Sequence, residues 1–215
     1  MPPYERLNLG LKVGDDPERV LQNRADLTAA CDLDEIIFMD QVHSAVMIRG
    51  TEGSDGSTCD GIYLRRGGWN ERTGLAVQVA DCVPLILTSD EVIAAVHVGR
   101  EGLLNGMTES ALTALRSEGV TSREVRALIG PSICGDCYPL SLELFQACEK
   151  SYPASVFNVD ERKIDVAAGV ISVLEYEGIR WSWFGDVREC VSCDSDYFSY
   201  RRDRTTGRQA MVVAW

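Results

Sequence analysis

No stretch of this chain approaches the roughly 20 consecutive apolar residues that span a bilayer. Its start, MPPYERLNLG, has neither the basic region nor the apolar run of a secretory signal. A cytoplasmic location and no membrane partner are expected. Positive charge is also short: 21 Lys and Arg stand against 33 Asp and Glu, a formal net charge of −12. A nucleic-acid backbone demands a basic footprint, so no nucleic-acid partner is expected. The deficit leaves room for a small anionic substrate, because a local arginine cluster outweighs a mean field. Histidine occurs only twice, at positions 43 and 97, which excludes any site built from many imidazoles.

Cysteine, by contrast, occurs eight times. In a reducing compartment these are not a disulfide framework and must be sorted singly. Cys31 and Cys148 fall on apolar positions of predicted helices and read as small core residues. Cys59, in GSDGSTCDG, has no visible partner. Cys134/Cys137 and Cys190/Cys193 are two CxxC pairs, the raw material of a four-thiolate zinc site. Their separation far exceeds the usual 15–20 or so residues between the pairs of a zinc ribbon, so the spacing alone does not bring them together.

No repeat, low-complexity tract or linker divides the 215 residues, and a single domain over 1–215 is expected. DDPERVLQNRADLTAAC begins with an Asp16 N-cap and Pro17 at the first helical position, and turns Val20, Leu21, Leu27 and Cys31 inward. EIIFMDQVHSAVMIRG reads as two short strands around a break. GLAVQVADCVPLILTSDEVIAAVHVG reads as a strand pair. LLNGMTESALTALRSEG reads as one amphipathic helix burying Leu103, Leu104, Met107, Ala111, Leu112 and Leu115. VRALIG, WSWFG and RQAMVVAW are further strands, while SLELFQACEKSY and IDVAAGVISVLEYEGI are helices. Strands and helices mix without strict alternation. That predicts an α+β layered sandwich with a mixed sheet and a Cys/His site at strand ends.

The strand pair carries the chemistry. With Ser89–Asp90 as a two-residue turn, opposed residues have numbers summing to about 179, and Cys82 faces His97 with Cβ atoms roughly 4.5–5.5 Å apart. Such a pair shares a metal or forms a nucleophile–base couple. Ser-Asp is poor chemistry for a tight primed turn, Pro84 invites a bulge, and a one-residue slip sends the two side chains to opposite faces. His43, at the break of MDQVHSAV, supplies a third donor. Two imidazoles and one thiolate suit zinc with the fourth position open, the arrangement of a catalytic rather than a structural site.

Six blocks, LNLGLKVGDDPERVLQNR, QVHSAV, GLAVQVADCVPLIL, AAVHVGREG, IGPSICGDCYPL and CDSDYFSYRRDRTTGR, together resemble the polyphenol-oxidase (multicopper laccase-like) domain family over nearly the whole chain. Its members are regarded as purine nucleoside phosphorylases with adenosine deaminase activity, and some are described as peptidoglycan editing factors. The resemblance implies zinc on His43, Cys82 and His97, and nucleoside and phosphate as partners, with adenosine, inosine and methylthioadenosine as candidate substrates. Copper, reported for the family, needs more histidine than this chain has. Arg201 and Arg208 of SYRRDRTTGR match family arginines and are candidate phosphate ligands, with Arg202 and Arg204 beside them; the same run also reads as an exposed, solvated turn. Asp81, next to Cys82, is a candidate acid/base or ligand-orienting group. By resemblance alone Asn8 lines the substrate pocket. The family keeps counterparts of Cys137 and Cys190 but no four-cysteine site.

Two departures bear on function. Members of the family begin with a strand and a TTRxGGVS-like loop before LNLG, whereas this sequence begins at MPPYERLNLG, which implies a shortened site wall or a mis-assigned start codon. The usual HAGWRG is here HVGREG, which places Arg100 at the tryptophan position and acidic Glu101 at the arginine position. Weaker phosphate use is then expected, unless the backbone after His97 is irregular enough to turn Arg100 into the site. Two rival readings stand beside the zinc enzyme: a metal-free hydrolase in which His97 activates Cys82 against a cell-wall precursor, and a catalytically weakened binding module. The sequence leaves the oligomeric state open, a monomer included.

Overall fold

The structure, a computed structural model, describes residues 3–215. Helix α1 (Pro17–Ala30) starts as expected, with the Asp16 side chain accepting from the N–H of Glu18 and Pro17 opening the first turn. Strands β1 (Glu35–Phe38) and β2 (Met47–Arg49) flank the break that holds His43. Then come β3 (Gly61–Arg65), β4 (Thr73–Val79), β5 (Val83–Thr88) and β6 (Val92–Val98). The predicted strand pair is thus three strands, interrupted at residues 80–82. The helix expected from Leu103 is two, α2 (Arg100–Leu104) and α3 (Met107–Ser117), because Gly106 takes a φ of 77°. A left-handed residue stops one helix and lets the next leave at a new angle. The chain continues through β7 (Arg126–Ile129), α4 (Leu142–Ser151), β8 (Val156–Asn158), β9 (Lys163–Ile164), α5 (Val166–Tyr176), β10 (Arg180–Trp183), α6 (Tyr200–Asp203) and β11 (Gln209–Val213).

Two larger sheets organise these elements, with β8 and β9 pairing apart as a two-stranded ribbon. One has six strands in the order β10-β7-β5-β6-β3-β2 and the other three in the order β1-β4-β11; both mix parallel and antiparallel pairs. Side-chain alternation decides what each face meets. Val92, Ala94, Val96 and Val98 of β6 pack with Leu103 of α2, with Met107 and Leu115 of α3, and with Val170 and Leu174 of α5. Ile93 and Ala95, from the opposite face, pack with Ile37, Leu75, Val77 and Val79 of the smaller sheet. Ile36, Phe38 and Ala76 on that sheet's far side meet Leu9 and Leu27. The result is an α+β sandwich in four layers: helices, sheet, sheet, and α1. Every residue of β4 and β6 is buried, because both of their faces are covered.

The outer layer corrects part of the reading of α1. Val20 is fully buried, but Leu21 is 55% exposed. Cys31 caps the helix C-terminus and is exposed rather than a core residue. A helix that touches only the rim of a three-stranded sheet buries a narrow stripe, and a cap residue lies beyond it. Cys148 is buried as expected; Cys59 is buried too, and its thiol donates to the Ser57 carbonyl at 3.6 Å.

The β5–β6 register also differs from the sequence-based one. Thr88 pairs with Ile93 and Pro84 with His97, so opposed numbers sum to 181 rather than 179. The turn is wider because Ser89 organises it: its Oγ accepts from the N–H of Val92 at 2.9 Å and from that of Glu91 at 3.3 Å. An even slip keeps every side chain on its face. Cys82 therefore does not sit directly opposite His97, yet both emerge on the side toward the second sheet. Pro84 introduces no bulge, since the pairing from Val83 to Thr88 is unbroken.

Candidate metal centre and substrate cavity

His43, Cys82 and His97 meet at one end of the sheet-to-sheet layer, their ligand atoms all within 4.8 Å of one another. Cys82 Sγ lies 3.7 Å from Nε2 of His43, and the two imidazole rings pack edge to face at 4.8 Å between centroids. His97 is the penultimate residue of β6, and Cys82 comes from the link that enters β5. His43 comes from the loop after β1, where its φ of 63° is a left-handed conformation that a non-glycine residue needs help to hold.

Asp60 supplies that help. Its fully buried carboxylate accepts from the backbone N–H groups of His43 at 2.9 Å and Ser44 at 2.6 Å, and from Ser44 Oγ at 2.7 Å. The same carboxylate takes Nδ1 of His97 at 2.8 Å, and the Asp60 carbonyl accepts from the His97 N–H at 2.7 Å. One residue thus sets the tautomer and aim of one imidazole and the backbone of the other. Nothing in the sequence marks Asp60 among the 33 acidic residues. Only its position at the start of β3, facing the end of β6, makes it a partner for both.

The electrostatics follow from crowding these groups together, with His97 and Asp60 buried and His43 at the exposed edge. Burial alone would raise the Cys82 thiol, but the two imidazoles outweigh it and bring its pKa down to about 6. His97 is opposed by burial in the same way, and the Cys82 thiolate and Asp60 lift it to about 9. The hydrogen bond to Cys82 raises His43. Burial resists ionisation of Asp60, yet its bonds from His97 and Ser44 prevail and lower it to about 2. The resting set is a thiolate between imidazoles, backed by a carboxylate.

This donor set fits zinc. A thiolate and two imidazoles are the mixed S/N ligands zinc takes, three in number as in sites that keep a position open. Gly99 makes room: a Cβ there would lie 2.9 Å from Cys82 Sγ and 2.8 Å from Cδ2 of His43. A multi-copper centre does not fit, because both histidines of the chain are already spent in this one group.

The centre opens onto a cavity of about 640 Å³ whose wall carries Arg100, Arg201, Arg204 and Arg208 together with Tyr138 and Tyr200. The irregular backbone needed for Arg100 is present: Gly99 caps α2, Arg100 is its first residue, and the Arg100 side chain turns into the cavity at 16% exposure. Glu101 points to solvent at 57% exposure and pairs with Arg100 at 2.7 Å. HVGREG thus moves the positive charge by one residue and pairs it with the Glu101 carboxylate, so an arginine still lines the cavity here with its charge partly offset.

The remaining sequence candidates divide. Arg201 lies over the Tyr138 ring at 4.8 Å. Arg202 does not face the cavity; its guanidinium binds the carbonyls of Val191, Asp194 and Tyr197 at 2.7–2.9 Å. Asp81, at φ 119°, accepts from Ser199 Oγ and from the Arg201 N–H, each at 2.6 Å. Burial raises the pKa of its carboxyl despite those bonds. Asn8 is fully buried and its Oδ1 receives the Arg208 N–H at 2.9 Å, so it holds a cavity residue from behind. Tyr138, Tyr200, Gln41 and Gln78 also line the cavity and carry no pattern that singles them out in the sequence.

A second thiol group corrects the sequence reading: Cys134, Cys137, Cys190 and Cys193 converge, with their sulfurs within 4.8 Å of one another.

Residues 1–215 match the family described as multi-copper polyphenol oxidoreductase laccase. A Streptomyces coelicolor protein named purine nucleoside phosphorylase is 37% identical over 98% of this chain and 88% of its own length. One from Mycobacterium tuberculosis with the same name is 34% identical over 99% of this chain and 86% of its own. The fold is similar to that of a solved Neisseria meningitidis protein, with a TM-score of 0.87 and 29% identity over all of this chain and 88% of that one. A Bacillus licheniformis structure aligns at a TM-score of 0.88 with 25% identity, covering 100% of this chain and 87% of the other. Full-length coverage, together with a fold that aligns over the whole chain with solved structures, leads to one conclusion: the chain belongs to the multi-copper polyphenol oxidoreductase laccase family, and its relatives here carry the name purine nucleoside phosphorylase.

Proposed function

We propose that this protein is a zinc-dependent purine nucleoside phosphorylase acting on adenosine, inosine and methylthioadenosine, with adenosine deaminase activity. The observation that carries this reading is the open His43–Cys82–His97 group at the edge of a cavity ringed by arginines. Zinc held there supplies a Lewis acid, able to polarise a purine or to activate water.

The chain's own residues do the rest. Arg100, Arg201 and Arg208 bring positive charge into a strongly acidic protein, which suits phosphate and the charge that develops as the glycosidic bond breaks. Tyr138 and Tyr200 offer apolar faces for the base and ribose. Asp81 acts as a positioning residue: both of its oxygens are engaged by Ser199 and Arg201, so it aims Arg201 rather than moving a proton. Asp60 keeps Nδ1 of His97 protonated and Nε2 turned to the centre.

The depressed Cys82 thiol beside His43 favours one second reading, a metal-free cysteine nucleophile acting on a cell-wall precursor. Zinc-loaded protein incubated with adenosine, with and without phosphate, separates the two. Adenine and ribose 1-phosphate should form only with phosphate, and inosine without it. Absence of both products, with hydrolysis of an amide substrate by chelator-treated protein, would favour the nucleophile instead.

A further inference from the structure

The geometry points to a second, structural zinc ion, held by Cys134, Cys137, Cys190 and Cys193, that clamps one wall of the substrate cavity. All four are free thiols. Cys193 Sγ lies 3.5 Å from that of Cys137 and 4.0 Å from that of Cys134, and no two of the four sulfurs are more than 4.8 Å apart. Zinc–sulfur bonds of about 2.3 Å arranged tetrahedrally put sulfurs about 3.8 Å apart, so the spread matches a four-thiolate shell and is far too wide for disulfides at about 2.05 Å.

The backbone is shaped for this. Each CxxC is a tight turn whose last cysteine donates its N–H to the first one's carbonyl, at 3.1 Å in both cases. The Cys134 N–H donates in addition to Cys190 Sγ at 3.2 Å, a bond that favours a thiolate. A parallel bridge between Ser132 and Cys190, 58 positions apart, brings the two turns together. Between Asp186 and Tyr200 the chain has no helix or strand of its own, so a metal supplies order that sheet hydrogen bonds do not.

The location gives the ion a task. Ile133 donates its N–H to the Asp81 carbonyl at 2.8 Å, and Tyr138 lies under Arg201. On the other side, Arg202 grips the carbonyls of Val191, Asp194 and Tyr197, and Ser199 holds Asp81. The four thiolates therefore tie the segment carrying Tyr138 to the segment carrying Arg201. A closed shell of four protein ligands leaves no open position, so the ion shapes the wall and takes no part in chemistry.

The test uses a His43→Ala/Cys82→Ala protein, which lacks the cavity centre and keeps all four clamp cysteines. Purified without chelator, it should retain one zinc per chain, with an X-ray absorption first shell of sulfur alone at about 2.3 Å. Adding Cys193→Ser should drop zinc to background. In the otherwise native protein Cys193→Ser should raise the phosphate KM more than it lowers kcat. A metal-free double variant, disulfides in its intact mass, iron in place of zinc, or nitrogen or oxygen in the shell would each overturn the proposal. Because metal is counted with the cavity centre removed, the result stands apart from the outcome of the nucleoside assay.

Discussion

Asp60 reaches Nδ1 of His97 at 2.8 Å while fixing the backbone of His43, so one carboxylate outside the cavity lining positions two of the three side chains of the candidate centre. Replacing Asp60 with Asn removes the charge that backs the imidazole and exchanges an acceptor for a donor. Metal affinity at the cavity centre should fall roughly tenfold to a hundredfold, the usual consequence of losing such a partner. Zinc titration against a competing chelator reads this directly, with circular dichroism confirming the fold. Unchanged affinity would mean that the hydrogen bond orients nothing.

Gly99 tests the packing of the same centre. An alanine methyl would sit 2.9 Å from Cys82 Sγ and 2.8 Å from His43, closer than real Cβ contacts allow. The Gly99→Ala protein should fold, because the crowded atoms belong to side chains at the cavity edge, and should lose zinc from this centre. Metal analysis with a melting curve checks it.

The chelator-stripped protein should show a pH signature at Cys82. Its thiol is lowered to about 6, so alkylation there should rise as pH passes 6 and level off above 7. Below the pKa the thiol holds its proton and reacts slowly; above it the thiolate dominates. Cys59, buried and raised to about 12, should stay unmodified throughout. Peptide mapping after timed labelling separates the two, and zinc should protect Cys82.

Arginine variants measure the anion pocket. Arg100→Ala, Arg201→Ala and Arg208→Ala should each raise the phosphate KM by roughly tenfold to a hundredfold, matching the roughly 1.5–3 kcal/mol of a hydrogen bond to a charged group. Deamination of adenosine, which uses no phosphate, should change less. Since Arg100 already faces the cavity, the double change Arg100→Trp with Glu101→Arg should raise that KM; a lower value would show that position 101 is the better placed. Arg202→Ala should act through stability, because its guanidinium holds loop carbonyls.

Local periodicity in the sequence marked most of the longer elements, though not β3 or the short β8, β9 and α6. The Asp16–Pro17 cap, the apolar runs of β4 to β6 and the 3.6-residue pattern of α3 and α5 depend on neighbours within a few positions; the cap and α5 form where expected, while the strand pair divides into three strands and the helix from Leu103 into two. The shared face of Cys82 and His97 was also legible, because side-chain direction has a period of two and survives a slip of two. Side-chain hydrogen bonds in turns and caps, and above all long-range geometry, decided the remainder. The turn at Ser89 depends on one side chain's hydrogen bonds, the burial of Leu21 and Cys31 on how little sheet lies beneath α1, and the direction of Arg100 on a helix that starts at Gly99. Asp60 and the two CxxC turns depend on which strand ends the sandwich brings together. Such contacts join residues tens of positions apart, and only closure of the layers sets them, so no spacing in the chain encodes them.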